Sequence, residues 1–283
     1  FRNKDYARAI EVFSQVVELG RQGRADSASQ ADALFYLGEC YFQTKQFLSA
    51  RRAYREILEK ASVSPFDSYA GRAVGRLVDV SLRTQNFEIL DEVFAKLSSL
   101  PTSDSTGSLP YARGKALFAK KDYDGAKASI GNVSTTGAWG LQAQYLLGVV
   151  LVKQATPVVD EATEKVDKET ASIVTKGTVE AVPTARYAAA IEQFRRVTRM
   201  KAETDAQRHV IDLAWMAVGR LFYETDNFLD AADAYSHVDR KSPEFSGMLY
   251  ELAWVYVRLG DYQRAQRALA VLTVTDPANL RIA

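Results

Sequence analysis

The residue types that most often carry chemistry are few in this chain and are spread far apart. The two histidines, His209 and His237, do not have the short spacing that places two metal ligands on one helix face. A single histidine is more often structural or solvated than catalytic. The sequence therefore predicts no metal site and no catalytic residues.

Two further signals for chemistry are weak. Cys40 is the only cysteine, so no internal disulfide is possible, and its large apolar neighbours predict that it packs as a small hydrophobic residue. Gly114-Lys115-Ala116 is similar to the end of a phosphate-binding loop. However, Leu109 stands where the first glycine is needed, and Ala116 replaces the hydroxyl residue that binds magnesium. No cofactor is predicted.

Composition excludes other classes of function. The 283 residues include 36 basic and 35 acidic side chains, which leaves a net charge of +1. Nucleic acid is therefore not an expected partner, because counterion-release binding needs a clear positive excess. No apolar run is long enough to cross a membrane, although tethering through residues outside this sequence is left open. The single cysteine is compatible with both a cytosolic and a periplasmic location.

The stretch 31–62 predicts the elements that organise the chain. Apolar and small residues recur there at three- and four-residue steps, first at Leu34, Leu37, Gly38 and Tyr41 and then at Ala50, Tyr54 and Ile57. This spacing is typical of two amphipathic helices, and the polar stretch 44–47 suits a short turn between them. Gly38 and Ala50 are expected at the helix crossing, because small side chains let two helices approach closely.

The pattern of the second helix returns along the chain. A small or apolar residue follows an aromatic residue by three positions in seven places, at Tyr6/Ala9, Phe47/Ala50, Phe87/Leu90, Tyr123/Ala126, Tyr187/Ala190, Phe228/Ala231 and Tyr262/Ala265. The shortest interval separates Phe228 from Tyr262 and is 34 residues, a known period of helix-turn-helix repeats.

The repeated unit resembles the tetratricopeptide repeat. The sixth copy carries the family pattern most fully, with Trp215, Val218, Gly219 and Phe222 followed by Ala231, Tyr235 and Pro243. The third copy is the weakest, since Leu90 takes the small-residue place. The resemblance implies an all-α fold, a right-handed superhelical solenoid of antiparallel helix pairs with about six and a half repeats.

One solenoid is expected over residues 1–283. Its predicted parts are a half repeat at 1–20 and repeats at 31–64, 71–104, 107–140, 141–200, 212–245 and 246–279. The half repeat suggests a fragment of a longer chain. The fifth repeat carries an insertion at 154–184, for which an extra helix at 158–174 and a mobile, strand-prone tip at 175–183 are expected. This insertion is either a binding element or a surface elaboration without a role.

In the family, the first helix of each pair lines a concave surface. By that register Gly75 and Asp79 lie on the surface. The residues expected to line a partner-binding groove are Phe35, Glu39, Phe42, Tyr111, Lys115, Phe118, Tyr145, Met216, Arg220, Tyr223, Tyr250 and Trp254. They do not match the Lys and Asn clamp with which some family members hold acidic chaperone tails. The aromatic residues instead suit a helix or an extended segment of another protein, or they merely pack on neighbouring helices.

The resemblance therefore implies a scaffold that binds other proteins and is not an enzyme. The style of the repeats is similar to bacterial envelope repeat proteins, which implies an outer-membrane assembly, pilus, secretion or motility machine and a periplasmic or outer-membrane-associated location. The alternative is a cytoplasmic module that senses a peptide or regulates an attached effector domain.

Overall fold

The fold is described here from a computed structural model, which covers residues 5–86, 88–89, 92–93, 96, 107–156 and 183–276. Every regular element within these residues is helical, which confirms the all-α prediction. The chain divides into two compact units, residues 1–140 and 141–283. The extra helix expected at 158–174 and the tip expected at 175–183 lie outside the described residues, except for Pro183.

Unit 1 is a series of helices in which each contacts the next along the chain. Its α-helices are α1 (Tyr6–Arg21), α2 (Ser27–Gln43), α3 (Phe47–Glu59), α4 (Asp67–Thr84), α5 (Ser108–Ala119) and α6 (Tyr123–Ile130). Residues 88, 89, 92, 93 and 96 are also helical. The repeats expected to begin at 31 and 71 begin earlier, because α2 and α4 start four residues before those positions.

Unit 2 is likewise a series of helices that pack on one another. Its helices are α7 (Gly140–Ala155, which starts at the boundary residue), a 3-10 turn at Thr184–Tyr187, α8 (Ala188–Thr198), α9 (Asp205–Glu224), α10 (Phe228–Ser236), α11 (Phe245–Arg258) and α12 (Tyr262–Thr275). Helix α9 begins seven residues before the expected start at 212. The prediction of one continuous solenoid stays a prediction.

The turns between paired helices share one backbone conformation. In four of these turns, the residue two positions before the second helix has a left-handed φ: 61° at Lys45, 63° at Lys121, 57° at Asp226 and 73° at Gly260. A left-handed residue ends a helix, and an aspartate directly after it can cap the next one. Asp122 and Asp261 do so, each accepting a hydrogen bond of 2.9 Å from the backbone N–H three residues later. Three residues therefore suffice to reverse the chain.

Small residues determine how closely the helices pack. Ala50, Ala126, Ala190 and Ala231 are at most 1% exposed, in agreement with the small-residue pattern of the sequence. Gly38 packs against the ring of Tyr54, since a Cβ at Gly38 would lie only 2.6 Å from Tyr54 Cε1. Its expected place at a helix crossing with Ala50 stays a prediction. Each unit has its own buried apolar cluster, centred on residues such as Leu77 in unit 1 and Phe194 in unit 2.

Candidate functional site

A tyrosine reaches from the second-helix layer to the first-helix surface in each unit. The Tyr54 ring passes over Gly38, and its hydroxyl donates a 2.7 Å hydrogen bond to Glu39 Oε1. In unit 2 the Tyr235 ring passes over Gly219 in the same way, and its hydroxyl donates to Glu251 Oε2 at 2.9 Å. The glycine makes room for the ring, and the ring carries its hydroxyl into the layer of first helices.

The carboxylates that accept these bonds also form ion pairs between neighbouring first helices. Arg76 on α4 donates two hydrogen bonds of 2.6 Å to Glu39 on α2, and it lies 3.4 Å from Asp79. Asp79 in turn pairs with Lys115 on α5 at 2.5 Å. A row of alternating charges thus crosses three helices of unit 1.

The equivalent pair in unit 2 has the opposite polarity. Arg220 on α9 donates hydrogen bonds of 2.9 and 2.6 Å to the two carboxylate oxygens of Glu251 on α11. Gly38 precedes an acidic residue, whereas Gly219 precedes a basic one. Either order leaves a carboxylate beside the tyrosine hydroxyl.

This environment keeps the tyrosines protonated. Burial, followed by the negative charge of Glu39, raises the pKa of Tyr54 well above its ordinary value of 10.0, and burial and Glu251 do the same for Tyr235. Burial alone would lower the pKa of Arg76, but its hydrogen bonds to Glu39 and the charge of Glu39 outweigh burial and raise it. Burial also raises the pKa of Tyr111 to about 12. None of these groups is suited to exchange protons near neutral pH.

Unit 1 contains a cleft of about 290 Å³ on this surface. Tyr111 and Trp139 stack within it, with ring centroids 5.1 Å apart. The guanidinium of Arg72 lies 4.5 Å from the ring centroids of both Phe35 and Tyr69, which is a cation–π geometry. The other lining residues are Gly71, Gly75, Arg76, Asp79, Ser108, Ala112 and Lys115.

Unit 2 contains a larger cleft of about 510 Å³, in which three of the six lining residues are aromatic. Its lining residues are Arg220, Tyr223, Glu224, Tyr235, Glu251 and Trp254. Trp254 is 50% exposed, and Tyr250, 37% exposed, meets it edge-on with centroids 6.4 Å apart. Exposed aromatic rings in a concavity are the groups that anchor protein partners.

The structure brings some of the predicted groove residues together. Phe35, Tyr111 and Lys115 share the cleft of unit 1, and Arg220, Tyr223 and Trp254 share that of unit 2. Phe118 and Tyr145 are half-buried and pack on the second-helix residues Tyr123 and Phe194, respectively.

Other predicted groove residues are not available to a partner. Met216 is fully buried in the core of unit 2, so its expected place in the groove is corrected to a core position. Phe42 is 7% exposed and is covered by Arg76 and Arg83, whose guanidinium groups lie 4.9 and 5.0 Å from its ring centroid. Glu39 is equally buried and is occupied by Tyr54 and Arg76.

Sequence reasoning missed nine lining residues: Gly71, Arg72, Arg76, Ser108, Ala112, Trp139, Glu224, Tyr235 and Glu251. The two arginines and the two glutamates stand outside the positions that the family register predicts to line the groove. One signal was available for Glu251, because it follows the predicted Tyr250 directly. Trp139 precedes α7 in a turn and has no helical register to reveal it.

The residue types that could do chemistry are engaged elsewhere. Cys40 is fully buried, and burial raises the pKa of its thiol. His209 contacts Glu244 at 2.9 Å, and His237 stacks on Trp215 with centroids 4.2 Å apart. Gly114 lies inside α5 rather than in a loop. Within the described residues, no three His, Cys, Asp or Glu side chains are grouped so as to hold a metal ion.

The sequence matches two family models, both described as tetratricopeptide repeat, over residues 1–65 and 248–278. No curated protein matches it. None of the helices in the described part of the chain combines the length and hydropathy needed to cross a bilayer.

Solved structures with a similar fold include PilF from Pseudomonas aeruginosa, which is 16% identical with a TM-score of 0.55, over 87% of this chain and 92% of that one. A tetratricopeptide repeat protein from Parabacteroides merdae is 12% identical with a TM-score of 0.48, over 86% and 79%. BtubC from P. vanneervenii is 13% identical with a TM-score of 0.46, over 98% and 93%.

Proposed function

This chain belongs to the tetratricopeptide-repeat superfamily, and from that premise we propose that it is a non-catalytic scaffold that binds segments of other proteins in the first-helix clefts of its two units. Repeat folds of this kind commonly use their first-helix face for binding. The observation that carries the proposal is Trp254, a large apolar side chain left half-exposed inside a cleft of about 510 Å³.

The energetics of the cleft support binding rather than folding as the role of Trp254. Covering the exposed part of an aromatic ring is favourable by about 25 cal/mol per Å² of apolar area. Folding leaves half of the Trp254 side chain exposed, so a partner can still gain this free energy. The paired Arg220 and Glu251 beside it are already satisfied, so a partner could cover them without leaving a buried charge unpaired.

Peptide selection tests the proposal. A random peptide library displayed on phage would be selected against the immobilised protein, and the affinity of the enriched peptides would then be measured by fluorescence anisotropy. Trp254→Ser should weaken binding about ten-fold or more, because anchors of this type contribute about 2 kcal/mol. Tyr262→Ser is the matched control, since Tyr262 is an exposed aromatic residue of the same unit outside the cleft.

Both variants should melt near the temperature of the unchanged protein, because Trp254 is half-exposed and Tyr262 is 69% exposed. Selection of no binding peptide, or equal losses with Trp254→Ser and Tyr262→Ser, would contradict binding in this cleft.

We propose further that the partners belong to a bacterial envelope machine, such as one for outer-membrane assembly, pilus formation, secretion or motility. The support is the style of the repeats. The likeness to PilF is compatible with the proposal, but at 16% identity it is a likeness of fold alone. Fractionation of the cells that produce the protein, followed by immunoblotting, is the test. Recovery with the envelope is expected, and recovery with the cytosol would favour the regulatory alternative.

A further inference from the structure

The first helices of the last two repeats run parallel and frame the cleft of unit 2. Three contacts join the α9 segment to the α11 segment: His209 with Glu244 at 2.9 Å, Arg220 with Glu251 at 2.6 Å and Asp226 with Arg258 at 2.9 Å. The contacts follow the same order along both segments, as expected for parallel helices. Glu224 and Trp254 fall between the second and third of these contacts. They therefore line the same stretch of the cleft, which is flanked by two salt bridges.

The flanking salt bridges leave one unmatched charge in this stretch. Arg220 is held by Glu251, and Arg258 is held by Asp226 while its guanidinium also lies 4.6 Å from the Phe228 ring centroid. Glu224 is exposed, and its carboxylate makes no hydrogen bond or ion pair with another side chain in the described part of the chain. The lining of the cleft thus carries one net negative charge.

The fold gains nothing from a carboxylate at this position. Glu224 is the last residue of α9, where the partial negative charge of the helix end disfavours another anion. The same arrangement raises the local affinity for a cation, because the carboxylate and the helix end act in the same direction. Trp254 adds a third attraction, since the face of an indole ring binds cations.

We propose that the cleft of unit 2 binds a partner segment through one lysine or arginine side chain, which stacks on the exposed ring of Trp254 and pairs with Glu224. The inference rests on the proposed function, because it names the chemistry of the partner at the same cleft. The volume of about 510 Å³ accommodates such a side chain together with the flanking backbone.

Peptide pools with a fixed central residue test this inference. Five pools of fluorescent nonapeptides would carry arginine, lysine, citrulline, glutamate or leucine at the centre and random residues elsewhere. Citrulline has nearly the shape of arginine without its charge, so the comparison isolates the charge. The arginine and lysine pools should bind about five-fold more tightly than the citrulline pool, and the difference should shrink at high salt.

Variants of Glu224 test whether this carboxylate causes the preference for a cationic side chain. Glu224→Gln should reduce the arginine-to-citrulline ratio to near one, and Glu224→Lys should favour the glutamate pool instead. Asp230→Asn is the matched control, because it removes an exposed carboxylate of the same unit outside the cleft and should leave the ratio unchanged. Glu224→Gln should not lower the melting temperature, because the helix end disfavours the carboxylate.

The outcomes separate the two proposals. If binding of the pools depends on Trp254 but shows no preference for arginine or lysine, this inference is overturned and the proposed function stands. A preference for arginine or lysine that survives Glu224→Gln would have the same meaning. Absence of any Trp254-dependent binding would overturn both.

Discussion

At the scale of single residues, glycines and tyrosines determine how closely the paired helices pack. Gly38 and Gly219 each face the ring of a tyrosine from the following helix, and the tyrosine hydroxyl reaches a carboxylate of the first-helix layer. In the fifth repeat, Gly148 faces Phe194, which has no hydroxyl, and the residue after that glycine is Val149. A phenylalanine fills this place without a hydroxyl that would need a hydrogen-bond partner.

A pair of glycine substitutions tests this packing role. Gly38→Ala should lower the free energy of unfolding by about 1–3 kcal/mol, because the added Cβ would lie 2.6 Å from the enclosed ring of Tyr54. Gly75→Ala is the control in the same unit, since its Cβ would meet only Ala112 Cβ at 4.0 Å. It should raise stability by about 0.5–1 kcal/mol through helix propensity. Urea denaturation followed by circular dichroism measures both, and equal changes would contradict the packing role.

At the scale of elements, an ion pair links neighbouring first helices, and its polarity differs between repeats. The acidic partner of the Glu39–Arg76 pair lies on the earlier helix, whereas that of the Arg220–Glu251 pair lies on the later one. In both cases the tyrosine between them donates to the acid. What the packing requires is therefore one acid and one base at facing positions, and either order satisfies the tyrosine.

Exchanging the charges tests this interpretation. Arg220→Glu alone should lower the free energy of unfolding by about 1 kcal/mol, because it places two carboxylates side by side at a half-exposed site. Combining it with Glu251→Arg should recover most of the loss, since the ion pair is restored and a carboxylate still lies beside Tyr235. Arg267→Glu serves as a surface control, because Arg267 is exposed and lies outside this ion pair, and it should change the free energy of unfolding by no more than about 0.5 kcal/mol. If the double variant melts at a lower temperature than Arg220→Glu alone, the two orders of acid and base are not equivalent and the interpretation is wrong.

At the scale of the whole molecule, the chain consists of two units that each bury their own apolar cluster. Their clefts differ in chemistry. In unit 1, Arg72 contacts two aromatic rings and has no acidic partner within 4.0 Å among the described residues, whereas in unit 2 the unmatched charge is Glu224. Although the net charge of the chain is only +1, each cleft thus carries an unmatched charge of its own.

Separate expression of the units tests their independence. Fragments 1–140 and 141–283 should each be helical and melt cooperatively, because each retains a complete buried cluster. The control fragment 141–202 keeps only α7 and α8 of the described helices and should be largely unfolded, since stacked repeats need several neighbours to form a core. Loss of helical signal in both large fragments would show that neither unit is independent.

The sequence by itself determined the helical pairs, because the spacing of apolar and small residues reflects how a helix buries one face. It therefore predicted the positions of Ala50 and Gly219 and the turns before Phe47 and Tyr262. Only the tertiary structure decided which first-helix residues are open to a partner. Met216 and Trp254 both stand at positions predicted to line the groove, but the first is enclosed by neighbouring helices and the second is not. Burial depends on what the next repeat brings into contact, and the period of a single helix does not contain that information.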